Sequence, residues 1–152
     1  MALGKMRHLA LILVFVGLAC SESRDLYVRD CGGSRSRATL VHLKMDPCNT
    51  TPCEVVRGRT TLFRIKIIPH VYSRNVYLEG KFRFWGMDFP IPGLETDLCK
   101  YISCPIRSGE AIETYQGFSV STWMFRLSTT VTYKVYGDDG LLGCLQANIL
   151  IV

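Results

Sequence analysis

The spacing of six cysteines constrains this chain more than any other feature of its sequence. They lie beyond residue 21, at Cys31, Cys48, Cys53, Cys99, Cys104 and Cys144. Two pairs are local, because four residues separate Cys48 from Cys53 and four separate Cys99 from Cys104. Six cysteines allow 15 pairings, of which the simplest has two short loops and one long bridge from Cys31 to Cys144. Such a framework is typical of a compact secreted domain.

The N-terminal segment also predicts secretion. Residues 1–21 combine Lys5 and Arg7 with an apolar run at 9–18 and small residues just before a charged position, which is the pattern of a secretory signal peptide. The run is too short to span a bilayer, which needs about 20 residues. Cleavage after Ser21 is preferred, although a site one or two residues earlier stays open, and it leaves 22–152 as one domain. The seventh cysteine, Cys20, leaves with the signal unless it is lipidated, and Gly17 disfavours the lipidation motif.

A glycosylation motif and the net charge further restrict the compartment and the partners that the sequence predicts. Asn49-Thr50-Thr51 is an N-glycosylation sequon on the short loop between Cys48 and Cys53, so Asn49 is predicted to carry a glycan. The precursor has a formal charge of +5, and removal of residues 1–21 leaves +3. Because the basic residues are scattered, no nucleic-acid partner is predicted. A mild attraction to an anionic membrane surface is allowed by this charge.

Hydrophobic residues alternate with polar ones from residue 38 onward. Residues 63–67, 78–84, 125–135 and 145–151 each place apolar side chains on one face, as antiparallel strands packed on one side do. Gly137-Asp138-Asp139-Gly140 predicts a hairpin turn, and the prolines of 90–93 exclude a central strand there. The predicted fold is all-β: an immunoglobulin-like β-sandwich of two antiparallel sheets with seven or eight strands and three disulfides.

Catalytic and metal-binding signatures are absent from the sequence. The mature chain holds two histidines, His42 and His70, and both are interpreted as structural or exposed. No nucleophile elbow, paired-histidine zinc motif or P-loop occurs. Asp138 and Asp139 are adjacent, but their glycine-flanked turn favours a turn role over metal binding. The sequence therefore predicts a binding protein and no enzyme, with no cofactor and no metal.

A series of short motifs resembles one family over nearly the whole mature chain. In order, the motifs are Asp30-Cys31-Gly32, Asp46-Pro47-Cys48, Pro52-Cys53-Glu54, Arg57-Gly58, Phe89-Pro90-Ile91-Pro92 and Cys104-Pro105-Ile106, followed by Cys144 in the last predicted strand. This arrangement is similar to the Niemann-Pick type C2 family, within the ML (lipid-recognition) domain group. The resemblance implies disulfides 31–144, 48–53 and 99–104. It also implies a β-sandwich that holds an apolar ligand between its sheets, in extracellular fluid or the lysosomal lumen.

Candidate pocket residues follow from this resemblance and from the alternation. The resemblance places Ile67, Phe118, Val120, Met124 and Phe125 at the pocket, with Trp85 and the stretch 89–92 on the opposite rim. Alternation turns further side chains of the predicted strands inward. The full candidate set is Phe63, Ile65, Ile67, Phe82, Phe84, Trp85, Phe118, Val120, Met124 and Phe125. Ordinary core packing is the competing interpretation for each of them.

The ligand class is left open by two departures from the sterol carriers. Phe118-Ser119-Val120 and Met124-Phe125 replace segments that contain proline in those proteins, which favours a softer, more apolar entrance. A sterol, a fatty acid, a phospholipid tail or a small volatile hydrophobe fits the expectation. The predicted partners are this hydrophobic molecule and a membrane surface or receptor protein. The alternative function is a secreted protein-interaction module with a dry core.

Overall fold

Nine strands make up most of the regular structure in residues 28–152, which are the residues that the computed structural model describes. The signal peptide predicted at 1–21 lies outside them. The strands are β1 (Val28–Asp30), β2 (Ala38–Asp46), β3 (Cys53–Val55), β4 (Thr60–Pro69), β5 (Tyr77–Phe84), β6 (Met87–Pro90), β7 (Ile112–Ser119), β8 (Leu127–Gly137) and β9 (Gly140–Ile151). Two 3-10 helices, Gly33–Arg35 and Leu98–Lys100, are the helical segments of the described part. None of its helices is long and apolar enough to cross a membrane.

The strands form two sheets that pack face to face. One sheet has three strands in the order β2-β4-β7, and the other has the order β1-β9-β8-β5-β6 with β3 also paired to β9. The predicted all-β sandwich is therefore confirmed. The strand number is nine rather than seven or eight, because β1 and β3 have three residues each, too few to show alternation. The pairing of β3 with β9 is parallel, an exception to the predicted antiparallel order.

The core lies between the two sheets and follows the predicted alternation. On β4 the buried residues include Phe63, Ile65 and Ile67, and on β8 they include Val131 and Tyr133. Successive side chains of a strand point to opposite faces, so each strand contributes every second residue to the interior. The ring of Phe63 stacks on that of Tyr133 with centroids 4.8 Å apart. This pair joins the two sheets at the centre of the sandwich.

Three disulfides have the pairing that the resemblance implied. Cys31 joins Cys144 on β9 across 113 residues, which fixes the N-terminal segment to the larger sheet. The bridges 48–53 and 99–104 close short loops, with Cα atoms 5.2 Å and 5.5 Å apart. Asn49 lies on the first of these loops and is exposed. An exposed sequon is accessible to glycosylation, and its occupancy stays a prediction.

The turn between the last two strands carries the adjacent aspartates. Asp138 accepts hydrogen bonds from the backbone N–H of Arg74 at 2.6 Å and from the side chain of Asn75 at 3.0 Å. The bond from Asn75 contributes most to lowering the pKa of Asp138 below its ordinary value, and the backbone bond adds to it. Asp138 therefore connects this turn to the segment before β5. Residues 28–152 contain no cluster of three metal-ligating side chains.

Candidate ligand-binding cavity

An apolar cavity of about 300 Å³ opens between the two sheets at one end of the sandwich. It lies where β7 ends and β8 begins, and β6 with the residues after it forms the opposite wall. The lining residues are Phe82, Phe89, Pro90, Ile91, Pro92, Phe118, Ser119, Val120, Ser121, Trp123, Met124, Val131, Ile149 and Ile151. None of them is charged, and two serines are the polar members. An apolar concave site of this volume is at the small end of the range for small-molecule pockets.

The sheets separate here because their edge strands on this side, β6 and β7, are not paired with each other. β6 extends only to Pro90, and the two prolines of 90–92 cannot donate hydrogen bonds to a neighbouring strand. On the other side, β7 ends at Ser119 and the chain crosses the opening before β8 begins. Side chains from the crossing segment, among them Met124, cover the cavity from above.

Large apolar side chains that face solvent lie on the two chain segments that form the mouth: Phe89 and Trp123 line the cavity, and Trp85, Met87 and Phe125 lie within four residues of them along the chain. We call this set the apolar rim: Trp85, Met87, Phe89, Trp123 and Phe125. The tryptophans are the only two in the sequence, and their exposed fractions are 85% and 76%. The β5–β6 hairpin carries one of them at its tip, where the ring stacks on Phe84 with centroids 5.0 Å apart. Phe84 in turn contacts Phe89, with ring centroids 6.4 Å apart.

Backbone geometry at this tip makes the exposure of Trp85 notable. Trp85 has φ of 50° and Gly86 has φ of 78°, which places both in the left-handed region. A tight hairpin turn requires this geometry and favours asparagine, aspartate or glycine there. A bulky residue in this region is an outlier whose cost is of the order of 1 kcal/mol or more. The sequence therefore places an exposed tryptophan where both local conformation and hydration disfavour it.

Arg57 and Gly58 hold the segment that crosses the mouth, residues 120–126, which we call the mouth segment. The guanidinium of Arg57 donates to the carbonyl of Met124 at 2.7 Å and to that of Val152 at 3.2 Å. The backbone N–H of Gly58 donates to the carbonyl of Val120 at 2.7 Å. Gly58 has φ of +75°, and a Cβ atom there would lie 2.8 Å from a methyl group of Thr122. Both residues of this motif are thus explained by the attachment of the mouth segment.

Four of the ten candidate residues line the cavity: Phe82, Phe118, Val120 and Met124. The other six lie elsewhere. Phe63 is buried in the core behind the cavity, whereas Ile65 and Ile67 border a separate void of about 10 Å³ deeper in the sandwich. Phe84 and Trp85 stack outside the cavity, and Phe125 is 70% exposed on the rim.

Ten lining residues were not among the candidates. Four of them form the stretch 89–92, which was predicted as the opposite rim, and the other six are Ser119, Ser121, Trp123, Val131, Ile149 and Ile151. Alternation correctly turns Val131, Ile149 and Ile151 toward the interior. It cannot tell which inward residues meet the opposite sheet and which meet a gap. Trp123 and Ser121 lie between strands, where no periodic signal exists. One feature of the sequence could have identified Trp123 as a candidate, because a tryptophan in a segment without regular structure is uncommon in a core.

The ionisable groups lie outside the cavity. Arg83 donates to Asp88 at 2.9 Å on the β5–β6 hairpin, and this bond lowers the pKa of Asp88 below its ordinary value. His42 lies 3.3 Å from Glu113 on the outer face of the three-stranded sheet, and His70 hydrogen-bonds Thr39 at 2.8 Å. Neither histidine faces the cavity, so its wall offers a ligand shape and apolar contact rather than charge.

Two proteins of known identity are similar to this chain in sequence. Lep d 2, a mite group 2 allergen of Lepidoglyphus destructor, is 26% identical over 133 residues, which cover 88% of this chain and 92% of the allergen. NPC intracellular cholesterol transporter 2 of Mus musculus is 27% identical over 137 residues, covering 88% and 89%.

Solved structures show the same fold. A Niemann-Pick type C2 protein from the Japanese carpenter ant has a TM-score of 0.72 at 20% identity, covering 82% of this chain and 98% of that one. Chicken MD-1, solved in complex with lipid IVa, has a TM-score of 0.52 at 14% identity, covering 80% and 85%. The family model described as ML domain matches residues 25–151. The chain therefore belongs to the ML domain family, as its cysteine and proline motifs indicated.

Proposed function

We propose that this protein binds a lipid-like apolar molecule in the cavity and carries it through an aqueous compartment. The observation that carries the proposal is the apolar cavity of about 300 Å³ that opens to solvent. Two relatives support it by name, since one is a cholesterol transporter and another was solved with lipid IVa. The absence of charged lining residues favours a ligand that is held by its apolar body.

The energetics of such binding are adequate. A ligand that buries about 300 Å² of apolar surface gains roughly 7 kcal/mol at about 25 cal/mol per Å². Association then costs at least about 4 kcal/mol in lost translational and rotational freedom. The cavity wall is formed by strands of both sheets and by a segment that Arg57 holds through hydrogen bonds, so little ordering is needed on binding. Eight of the lining residues are buried or half-buried: Phe82, Ile91, Phe118, Val120, Met124, Val131, Ile149 and Ile151.

The compartment we propose is extracellular fluid or the lysosomal lumen. The three disulfides support this, because such bridges persist in oxidising compartments. The signal peptide predicted at 1–21 and the sequon at Asn49 agree with the same route.

A substitution in the cavity wall tests the proposal directly. Val131 lines the cavity from β8, while its neighbour Thr130 lies on the outer face of the same strand. Val131→Phe fills part of the cavity, and Thr130→Phe adds the same ring outside it. Native mass spectrometry of secreted protein, followed by organic extraction, identifies any lipid that each variant retains. We expect the wild type and Thr130→Phe to carry an apolar molecule and Val131→Phe to carry little. Empty wild-type protein that also takes up no sterol or fatty acid would contradict the proposal.

The apolar rim supports exchange of the ligand at a membrane. Tryptophan favours the boundary between lipid and water. Trp123 lines the cavity, and Trp85 lies at the tip of the β5–β6 hairpin that forms the opposite wall. We expect wild-type protein to sediment with anionic phospholipid vesicles, and Trp85→Ser with Trp123→Ser to reduce this binding. Tyr72→Ser is the matched control, because Tyr72 is 53% exposed and lies outside the rim.

A secreted protein-interaction module is the second candidate, and the same exposed rim is what favours it. Aromatic residues that face solvent as a group are enriched at protein interfaces. If the rim binds a receptor protein instead, the rim variants lose that partner while vesicle binding is absent from the wild type. A cavity that accepts no lipid in the extraction experiment would favour this candidate over carriage.

A further inference from the structure

The inner end of the cavity is closed by one complete layer of the sandwich. Strand register places Met45, Phe63 and Gln116 side by side on the three-stranded sheet. On the larger sheet it places Gly80, Tyr133 and Leu145 side by side. The stacked rings of Phe63 and Tyr133 connect the two rows. We call these six residues the floor layer, and all six are buried.

The floor layer separates two spaces. Toward the mouth, the next inward residues of β7 and β8 are Phe118 and Val131, and both line the cavity. Away from the mouth, the next inward residues are Thr114 and Val135, and both border the void of about 10 Å³. No residue of the floor layer lines either space. It is therefore a partition across the interior, one residue thick.

Two features fix this partition in place. Gly80 lies opposite Tyr133 in the register. A Cβ atom at Gly80 would overlap a methyl carbon of Leu94 and would lie 3.2 Å from the Tyr133 ring, so the missing side chain leaves room for both. At the open side of the sandwich, the Gln116 side chain donates to the carbonyl of Glu95 at 3.1 Å. The segment that contains Glu95 is bonded to β5, through the N–H of Leu78 and the carbonyl of Thr96 at 2.8 Å. This contact connects the two sheets at the level of the floor layer.

We propose that the floor layer sets the length of the ligand, with Phe63 as the residue that determines it. The proposal rests on the proposed function. A cavity of about 150 Å³ accommodates benzene, so the cavity of about 300 Å³ holds about twelve non-hydrogen atoms by the same measure. The ligand class is a medium-length single-chain amphiphile. Its apolar end rests on the floor layer, and its polar end lies at the mouth beside the exposed Ser119 and Ser121.

A chain-length series on unmodified protein tests the floor without any substitution. The probes are saturated straight-chain carboxylic acids with 8 to 18 carbons, added below their aggregation limits, and they compete with the apolar fluorophore N-phenyl-1-naphthylamine. Each buried methylene strengthens binding by about fourfold. We expect affinity to rise up to about 12 carbons and then to level off, because further methylenes remain in water. Affinity that keeps rising at the same rate up to 18 carbons would overturn the proposal.

Variants at Phe63 test the identity of the determining residue. Phe63→Ala joins the cavity to the void beyond it and opens about the volume of a benzene ring. We expect the plateau to move out by about four carbons and the longest acids to gain at least tenfold. Because loss of the whole ring also weakens the fold, Phe63→Leu is the milder second variant, with a smaller shift in the same direction.

The matched control is Leu142→Ala. Leu142 is as buried as Phe63 but lies at the opposite end of β9 from the cavity residues Ile149 and Ile151. This variant loses core packing without touching the partition, so we expect its plateau to stay at the wild-type length. A plateau that is the same in Phe63→Leu as in the wild type would overturn the role of Phe63. Failure of the wild type to bind any acid or the fluorophore would instead overturn the proposed function itself.

Discussion

Removal of one hydroxyl group, in Tyr133→Phe, is expected to make the protein more stable. Tyr133 is 1% exposed, and within residues 28–152 its hydroxyl has no hydrogen-bond partner. In the unfolded chain the same hydroxyl is bonded to water. Folding therefore strips it of water and gives nothing in return, while the ring itself packs against Phe63.

The magnitude follows from the cost of an unsatisfied buried group. Leaving one buried donor without a partner costs about 1–3 kcal/mol. Phenylalanine keeps the ring and its stacking, and it loses only the small contact area of one oxygen atom. We therefore expect the free energy of unfolding to increase by about 1 kcal/mol, which raises the melting temperature by about 3–5 °C for a domain of this size.

Urea denaturation at neutral pH measures this change, with circular dichroism as the signal. The slope against urea should be the same in both proteins, because the surface exposed on unfolding does not change. A free energy of unfolding that falls by 1 kcal/mol or more would refute the reasoning. It would mean that the hydroxyl has a partner such as a buried water molecule, whose loss costs about that amount.

The pH dependence of the unfolding free energy provides a second comparison of the wild type with Tyr133→Phe. Burial raises the pKa of Tyr133 above its ordinary value of 10.0. Above pH 10 the unfolded chain releases this proton while the folded chain keeps it. The contribution to stability is therefore complete below pH 10 and is lost as the pH rises toward the folded-state value. The wild type should lose about 1.4 kcal/mol more per pH unit in this range than Tyr133→Phe does. Equal slopes would contradict the assignment.

The remaining predictions concern the mouth segment, the long disulfide and the sequon. Arg57→Ala removes three hydrogen bonds from a charged donor to the backbone carbonyls of Thr122, Met124 and Val152. We expect a loss of about 2 kcal/mol in stability and faster release of the fluorophore, and unchanged release would contradict the attachment. Replacing Cys31 and Cys144 together by alanine opens a bridge that spans 113 residues; denaturation should show a loss of about 4–5 kcal/mol, and a loss below 1 kcal/mol would refute the entropic argument. Glycosidase treatment of secreted protein should reduce its mass, and Asn49→Gln should abolish that shift; a wild-type mass that does not change would show an unoccupied sequon.

Much of the fold could be predicted because its determinants are local. Alternation along 63–67 and 125–135 identifies β4 and β8 and says which side chains turn inward, since the period of a strand is two residues. Gly137 and Gly140 flank the turn between β8 and β9, as predicted. The three-residue strands β1 and β3 were missed because they are too short to show alternation. Their pairing with β9 is set by the adjacent disulfides and by the path of the neighbouring segments, not by a pattern in their own residues.

The candidate site was predicted only in part, and the reason lies in what alternation measures. Phe63, Ile65 and Phe118 are all inward-facing and apolar, yet Phe118 alone of these three lines the cavity. The sequence places each of them on the inner face of a strand. It does not specify whether the opposite sheet lies in contact at that level or has separated.

The sequence by itself determined the two-sheet class, the inward residues, the turn at 137–140 and, through the family motifs, the disulfide pairing. Periodicity, turn chemistry and motif spacing are properties of neighbouring residues, so they can be read along the chain. Only the tertiary structure decided where the sheets part, that the hairpin carrying Trp85 and the segment carrying Trp123 form two walls of one cavity, and that Phe63 and Tyr133 close the cavity behind it. Those features depend on distances between residues 38 to 70 positions apart in the chain, which are set by the packing of one sheet on the other.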